Sequence, residues 1–542
     1  MKKGIFIFFL CLAVCSSCNE RKKEASKTVF RYNEAANITS LDPAFARDQA
    51  IIWATNQLFN GLVQLDDQLI IRPCIARSWE ISADGRLYTF HLRTDVFFHQ
   101  SPAFGKLKTR RVTAADFVYS FNRIVDPSVA SPGAWIFNNV KQTGSRFHFI
   151  AINDSTFSLE LKRTFPPFLS LLSMQYCSVI PQEAIRFFGS RFRSNPVGTG
   201  PFMIKMWKEG VKLVLLKNPD YFEFDDSTRL PYLDAVAITF LPDKQSAFLE
   251  FVKGNLDFMS GIDPTYKDEL LTPLGKLQPK YEKEISLITQ PYLNTEYLGF
   301  LVNQENPTTS KSERVNKPIR QAINYAFDRE KMIRYLRNNI GTPGLQGITP
   351  KGLPSFDSSR IFYHYDPEKA RALLASAGYP GGRGLPAITL TSTSDYLDIC
   401  KYLQHQVAGL GINLEIEVSP PAAVKEMKAQ AKLPFFRASW IADYPDAENY
   451  LSLFYSKNFC PRGPNYTHFS NPGFDRLYER AMSTIDDPTR YAMYREMESI
   501  IMEEAPVVIL YYDQVLRFIR KDVKGMGNNP MNLLTLKRVR KL

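Results

Sequence analysis

The sequence predicts a multi-domain protein of the α/β class, on three observations. The chain has 542 residues, more than one hydrophobic core ordinarily spans, so about three or four domains are expected. Its first part, up to the region of residue 195, reads as β-rich, and from Gln290 onward strand and helix patterns mix. With 44% apolar and 23% charged residues, the chain is ordinary globular material, neither disordered nor a bundle of membrane helices.

The elements follow from local patterns. Leu41-Asp42-Pro43-Ala44 reads as a turn. Ala50 to Phe59 is a helix stopped by Asn60-Gly61. Ile81 to Arg86 carries a hairpin signal at Asp84-Gly85, and Leu87 to Leu92 alternates apolar and polar residues. Thr113 and Asp116 have capping-box spacing. The helix they open runs through Phe117, Ser120, Phe121 and Ile124 and stops before Pro127. Thr156 to Leu161 is a further alternating strand.

Asn195-Pro196-Val197-Gly198-Thr199-Gly200-Pro201-Phe202 then concentrates proline and glycine. It lacks the trailing Lys-Ser/Thr of a phosphate-binding loop and the GxGxxG of a dinucleotide fold, so it is read as a chain crossing between lobes. Beyond it, Arg320 to Arg334 is predicted as one helix with Ile323, Ala326, Phe327 and Ile333 inward. Asp366-Pro367 opens a helix ending at Gly378. Ile388 to Leu390 is a strand, Tyr396 to Leu410 a helix, and Ile412 to Val418 a strictly alternating, half-buried strand. Asp487-Pro488 starts a long helix to Glu504, followed by a buried strand from Pro506 to Tyr512. No internal repeat is present.

Catalytic constellations are missing from the chain. It has no GxSxG and no HExxH, and its six histidines are scattered without a helical i, i+4 pair. His91 and His99 are expected at the surface. Asp225-Asp226 and Asp486-Asp487 sit at turns and helix starts and read as caps. No helix-turn-helix, RNP or zinc-finger motif points to nucleic acid. A binding protein without cofactor or metal, rather than an enzyme, is the expectation.

The most informative segment is Trp440-Ile441-Ala442-Asp443-Tyr444-Pro445-Asp446, with Arg437 just upstream. Two carboxylates among aromatic and small apolar groups are poorly hydrated unless a cation lies beside them. Two readings stand: an internal partner such as Arg437, giving a structural ion pair, or the ammonium group of a ligand.

The N-terminus is an export signal. Met1-Lys2-Lys3 is a positive n-region, and Gly4 to Val14 is an apolar stretch too short to span a membrane. Ser16-Ser17-Cys18 resembles the lipobox of bacterial lipoproteins. That resemblance implies cleavage after residue 17, lipidation of Cys18, a polar tether over 18–27, and attachment to a membrane on its periplasmic or extracellular face. Residues 1–17 hold two lysines and no acid, so the formal charge falls from +12 to +10 on their removal, a modest excess spread along the chain. Beyond Cys18 the mature chain keeps Cys74, Cys177, Cys400 and Cys460, too far apart for a compact zinc motif. For Cys74 and Cys177 a disulfide and two buried thiols both fit.

Seven segments in order carry a wider resemblance: Leu58 to Val63; Ala76 to Glu80 with Tyr88 to Arg93; Val112 to Ser120; Gly198 to Phe202; Ala326 to Arg329; Leu373 to Pro380; and Trp440 to Asp446. Together they resemble the extracytoplasmic solute-binding proteins of oligopeptide and dipeptide ABC transporters, bacterial solute-binding family 5. The likeness implies a two-lobed periplasmic-binding-protein-like fold with a hinge and an additional domain. It divides the chain into lobe I (28–72, 195–285 and 506–542), an extra domain II (73–194) and lobe III (286–505).

It further implies a monomer that captures short peptides between its lobes and delivers them to ABC transporter permease subunits. In oligopeptide-binding members, the aspartate of the Trp-x-x-Asp segment, here Asp443, pairs with the peptide ammonium. Trp440 and Tyr511 or Tyr512 fall at cleft positions, Ala442 and Asn60 are expected to join them although Asn60 stands where some members have Glu, and Arg437 matches an arginine that can meet a ligand carboxylate. Members that bind nickel chelates, haem or oligosaccharides supply the alternative ligand class.

Overall fold

The computed structural model describes residues 27–263, 266–303 and 315–542. The export signal, Cys18 and most of the tether lie outside the described residues.

One mixed sheet of eleven strands runs through the molecule. Its order is Phe202–Lys208, Lys212–Lys217, Ala235–Thr239, Val29–Asn33, Phe258–Ser260, Val507–Arg520, Ile285–Phe300, Phe435–Ile441, Ile388–Ser392 and Leu414–Val418. The short strand Thr342–Pro343 pairs with Val507–Arg520. Val29–Asn33 is parallel to Ala235–Thr239, and Ile388–Ser392 is parallel to Leu414–Val418.

Two strands are much longer than the rest: Ile285–Phe300 with sixteen residues and Val507–Arg520 with fourteen. They pair antiparallel in two separate runs. Ile285 to Pro291 faces Arg520 to Gln514, and Thr295 to Gly299 faces Tyr512 to Val507. Between the runs, Tyr292, Leu293 and Asn294 stand against Asp513 alone. Such a bulge interrupts the ladder and bends the strand. Leu293 leaves the ladder because its backbone is used elsewhere: its N–H donates to the Pro530 carbonyl (2.9 Å), and its carbonyl accepts from Ala442 N–H (2.9 Å) and the Tyr450 hydroxyl (2.7 Å).

The cores lie on either side of this break. One cluster packs Phe30, Trp53, Phe90, Phe121, Phe202 and Val236. A second packs Tyr297, Ile323, Leu390, Phe436, Met497 and Tyr512. A four-stranded sheet of Ala76–Ile81, Leu87–Leu92, Thr156–Glu160 and Phe149–Asn153 joins the first core without a gap. The helix Ala114–Val125 lays Phe117 and Phe121 on it, and Asp116 accepts the Thr113 N–H at 2.8 Å, as the capping-box spacing predicts.

Most predicted elements form within one or two residues of expectation, including Gln49–Leu58, Pro367–Ser376, Leu397–Ala408 and Asp487–Glu504. Three differ. The predicted helix 320–334 is two, Lys317–Ala326 and Arg329–Leu336, because the Asp328 carboxylate caps Lys331 N–H (3.0 Å) and starts the second. The strand expected to end at Tyr512 continues to Arg520, since its far half has a partner across the break. His99 is buried, not exposed. Its Nε2 lies 2.9 Å from the Gly200 carbonyl, and burial lowers its pKa to about 4.

The loop 195–201 serves packing. A side-chain carbon added at Gly198 would lie 2.0 Å from the Leu58 carbonyl oxygen, and one at Gly200 would lie 2.5 Å from the Gln57 carbonyl oxygen. Glycine is the residue that permits this approach. Cys74, Cys177, Cys400 and Cys460 are all buried free thiols.

Candidate functional site

The strand Phe435–Ile441 delivers the Trp440–Asp446 segment to the bulge in the long strands. Its last residues are held there by the Ala442 N–H to Leu293 carbonyl bond. The Asn449 side chain then clamps the turn. Its Oδ1 accepts from Trp440 Nε1 at 2.8 Å and from the Asp443 N–H at 3.2 Å.

The two carboxylates of the segment part ways. Asp446 is buried, 3.5 Å from the Arg490 guanidinium, and accepts from the Tyr494 hydroxyl (2.9 Å) and the Glu448 N–H (2.8 Å). It is a structural ion pair. Asp443 opens onto a cavity of about 270 Å³. Protein around it raises its pKa by desolvation, with a hydrogen bond from Asn449 opposing, and no cation of the described residues offsets the penalty. Its oxygens still meet solvent through the cavity, so the penalty is partial.

That cavity is built from distant parts of the chain: Gln49 and Trp53, Met174 and Tyr176, Tyr292 of the bulge, and Asn532. Trp53 is fixed by its Nε1 bond to the Asn532 carbonyl (2.8 Å). Gln49, Trp53, Tyr292 and Asn532 also line a second cavity of about 340 Å³, which runs on past Asn33–Ala35, Ser260–Ile262 and Asp513–Leu516. The two form a tract along the break between the cores, of the size that ligand sites take.

The other sequence-predicted residues divide among different places. Ala442 lines the Asp443 cavity. Trp440 is half-buried beside it through Asn449. Arg437 is paired with Glu296, not with Asp443, and its guanidinium lies 3.3 Å above the Tyr396 ring. Glu296 is nearly fully buried, and burial raises its pKa, with Arg437 as the main opposing influence. Tyr511 and Tyr512 are buried in the second core. Tyr512 donates to the Gly347 carbonyl (2.7 Å), and Arg337 stacks 4.1 Å from the Tyr511 ring. Asn60 lies in a third cavity, where its Oδ1 accepts from Thr199 (3.1 Å).

Sequence reasoning did not single out Asn449, Trp53, Gln49, Tyr292 or Asn532. Asn449 lies six residues beyond Asp443, inside the short helix Glu448–Leu451. The others converge only through tertiary structure.

Residues 71–459 match the family described as bacterial extracellular solute-binding proteins, family 5 Middle. The chain is 28% identical to heme-binding protein A of Haemophilus influenzae, over 96% of this chain and 95% of that protein. It is 26% identical to the glutathione-binding protein GsiB of Escherichia coli K12, over 98% and 96%. Among solved structures, the ABC transporter-associated periplasmic binding protein DppA of Helicobacter pylori, in complex with the peptide STSA, superposes with a TM-score of 0.74 at 26% identity, covering 95% of this chain and 98% of that one. These relatives are binding proteins, and the fold of this chain is the multi-domain, two-lobed one of family 5 periplasmic binding proteins. The chain belongs to the family 5 extracellular solute-binding proteins of ABC importers.

Proposed function

We propose that this protein is a lipid-anchored receptor that captures short peptides in the tract along the hinge and delivers them to the permease of an ABC importer. The carrying observation is the state of Asp443. It is the carboxylate of the Trp440–Asp446 segment that faces a cavity; no cation opposes the rise of its pKa, and Arg47, which shares the cavity lining, lies 3.4 Å from Asp48. Asp446 and Glu296 already have Arg490 and Arg437. A peptide's α-ammonium would supply the missing charge, and lobe closure would exclude water from the pair.

From Asp443 the peptide runs over Trp53 and Tyr292 into the 340 Å³ cavity. Arg437 is a ligand residue only if a carboxylate displaces or joins Glu296. Tyr511, Tyr512 and Trp440 act by holding the walls. The lobe limits given above, a monomeric state, and lipidation at Cys18 belong to the same reading.

Relatives named for haem and for glutathione keep a second reading open: the same cleft with another solute. Glutathione carries a free α-ammonium and suits Asp443, whereas haem offers no such group. Native mass spectrometry of protein purified without denaturant tests the reading. A retained peptide-sized ligand supports it, and a retained porphyrin or sugar refutes it. Conversion of Cys18→Ser should move the protein from the membrane to the soluble envelope fraction.

A further inference from the structure

A cavity of about 620 Å³ adjoins the Asp443 cavity. Leu65, Ser173, Met174, Gln175 and Leu533 line both, so the two share a wall. One side of the larger cavity is the C-terminal segment. There Leu533, Thr535 and Lys537 face the space while Leu534 and Leu536 are fully buried. That alternation is held in register by Gln57, whose Nε2 donates to the Leu534 carbonyl (2.7 Å) and whose Oε1 accepts from Leu536 N–H (3.3 Å). The wall is thus a built surface rather than a loose tail.

Its charges are spoken for. Lys537 Nζ lies 2.5 Å from Glu223 and 2.7 Å from Gln64 Oε1, and Gln64 Nε2 donates to Glu223 at 2.9 Å. Burial alone would raise the Glu223 pKa, but Lys537 brings it below the ordinary value. Arg72 pairs with Asp66, Arg93 with Asp95, and Arg538 with Asp225. Among the lining acids Asp67 is in no close ion pair of the described residues; partial burial raises its pKa, against a hydrogen bond from the Asn528 N–H and the charge of Arg517. An anionic group entering here meets lining cations that are already paired, and it meets the Asp67 carboxylate. An uncharged group meets Phe59, Val63 and Phe222.

We propose that this cavity is a specificity pocket for the side chain of the ligand's first residue, and that it takes a bulky, non-acidic one. The inference rests on the peptide reading. With the amine at Asp443, the first side chain is the part of a peptide nearest the shared wall. A large neutral group gains burial there, and an acidic one loses hydration without a partner.

Calorimetry with three tripeptides tests this: triglycine, tryptophanyl-glycyl-glycine and glutamyl-glycyl-glycine. The tryptophanyl peptide is expected to bind at least about tenfold tighter than triglycine, and the glutamyl peptide weaker than both. In Thr535→Trp, which fills the pocket from the C-terminal wall, the preference for tryptophanyl over triglycine should collapse to within about twofold. In Asp67→Lys, an exposed position, the glutamyl peptide should gain about tenfold relative to triglycine. Each readout is a ratio within one variant, so a general loss of folded protein does not mimic it. Equal binding of all three peptides by the wild type, or ratios that neither substitution moves, would overturn the pocket while leaving the peptide reading intact. Binding of none of them by the wild type would overturn both.

Discussion

Replacing Asp443 with asparagine keeps the size of the side chain and removes its charge. In the unliganded protein little should change, because Asn449 holds the turn through the Asp443 N–H and Trp440, not through the carboxylate alone. With a peptide bound and the lobes shut, the lost charge leaves an ammonium group facing neutral walls. Two unit charges about 4 Å apart at an effective dielectric near 20 attract by about 4 kcal/mol. Some of that replaces solvation the ammonium had in water, but Asp443 is already partly desolvated before the ligand arrives, as its raised pKa records. A net loss of about 3 kcal/mol follows, within the range for truncating one member of a buried charge pair, or roughly 150-fold in Kd.

Isothermal titration with a tripeptide and its N-acetylated form, against wild type and Asp443→Asn, gives a double-mutant cycle. Acetylation should cost the wild type about as much as the substitution does, and should cost the variant little. If Asp443→Asn weakens both forms equally, the amine is not the partner of this carboxylate and the assignment falls. The pH dependence carries the same sign. The free Asp443 has a raised pKa, and the ammonium favours its ionised form. Affinity should therefore fall on acidification, starting above the ordinary aspartate range, and the variant's profile should be flat there.

Other consequences can be checked in the same material. Arg437→Met should destabilise by about 3 kcal/mol in urea unfolding, because Glu296 would stay buried without its counter-charge; adding Glu296→Gln should recover most of that loss. Glu498 is buried, accepts the Thr349 N–H at 2.7 Å, and is pushed up to about 7 by burial. The folded state thus binds more protons than the unfolded state from about pH 4.5 to 7, so this group's contribution to stability is lost as pH rises through that window. Glu498→Gln should flatten the slope and raise the midpoint of thermal unfolding at pH 8. Gly200→Ala should lower soluble yield and thermal stability, since its methyl group would collide with the backbone of Gln57 and Leu58.

Much of the site was legible because its chemistry sits in one short run. An acidic residue among aromatics, at the end of an alternating strand, marks itself. Even so, the run held two aspartates, and nothing local separated them. Arg490 lies 44 positions downstream of Asp446 and claims it only when the helix Asp487–Glu504 docks. Arg437 was the natural partner by proximity in sequence. In the sheet, however, it is opposite Leu298 and Glu296 is opposite Ser439, so Arg437 and Glu296 project on one face and meet. The single helix expected over 320–334 failed for a local reason, since an aspartate followed by a helical pattern is as good a start as a continuation.

By itself, the amino-acid sequence determined the class of the fold, most of the succession of strands and helices, the absence of a catalytic motif, and the segment proposed to carry binding. These are short-range properties: periodicity, capping and turn chemistry act over a few residues. The tertiary structure decided which carboxylate of that segment stays without a cation, where the long strands break, and which cavity adjoins Asp443. Each of those depends on residues far apart in the chain, from the 44 positions between Asp446 and Arg490 to the 479 between Trp53 and Asn532. Burial and charge pairing are settled by what packs alongside, and no local pattern records a neighbour that arrives from the other end of the chain.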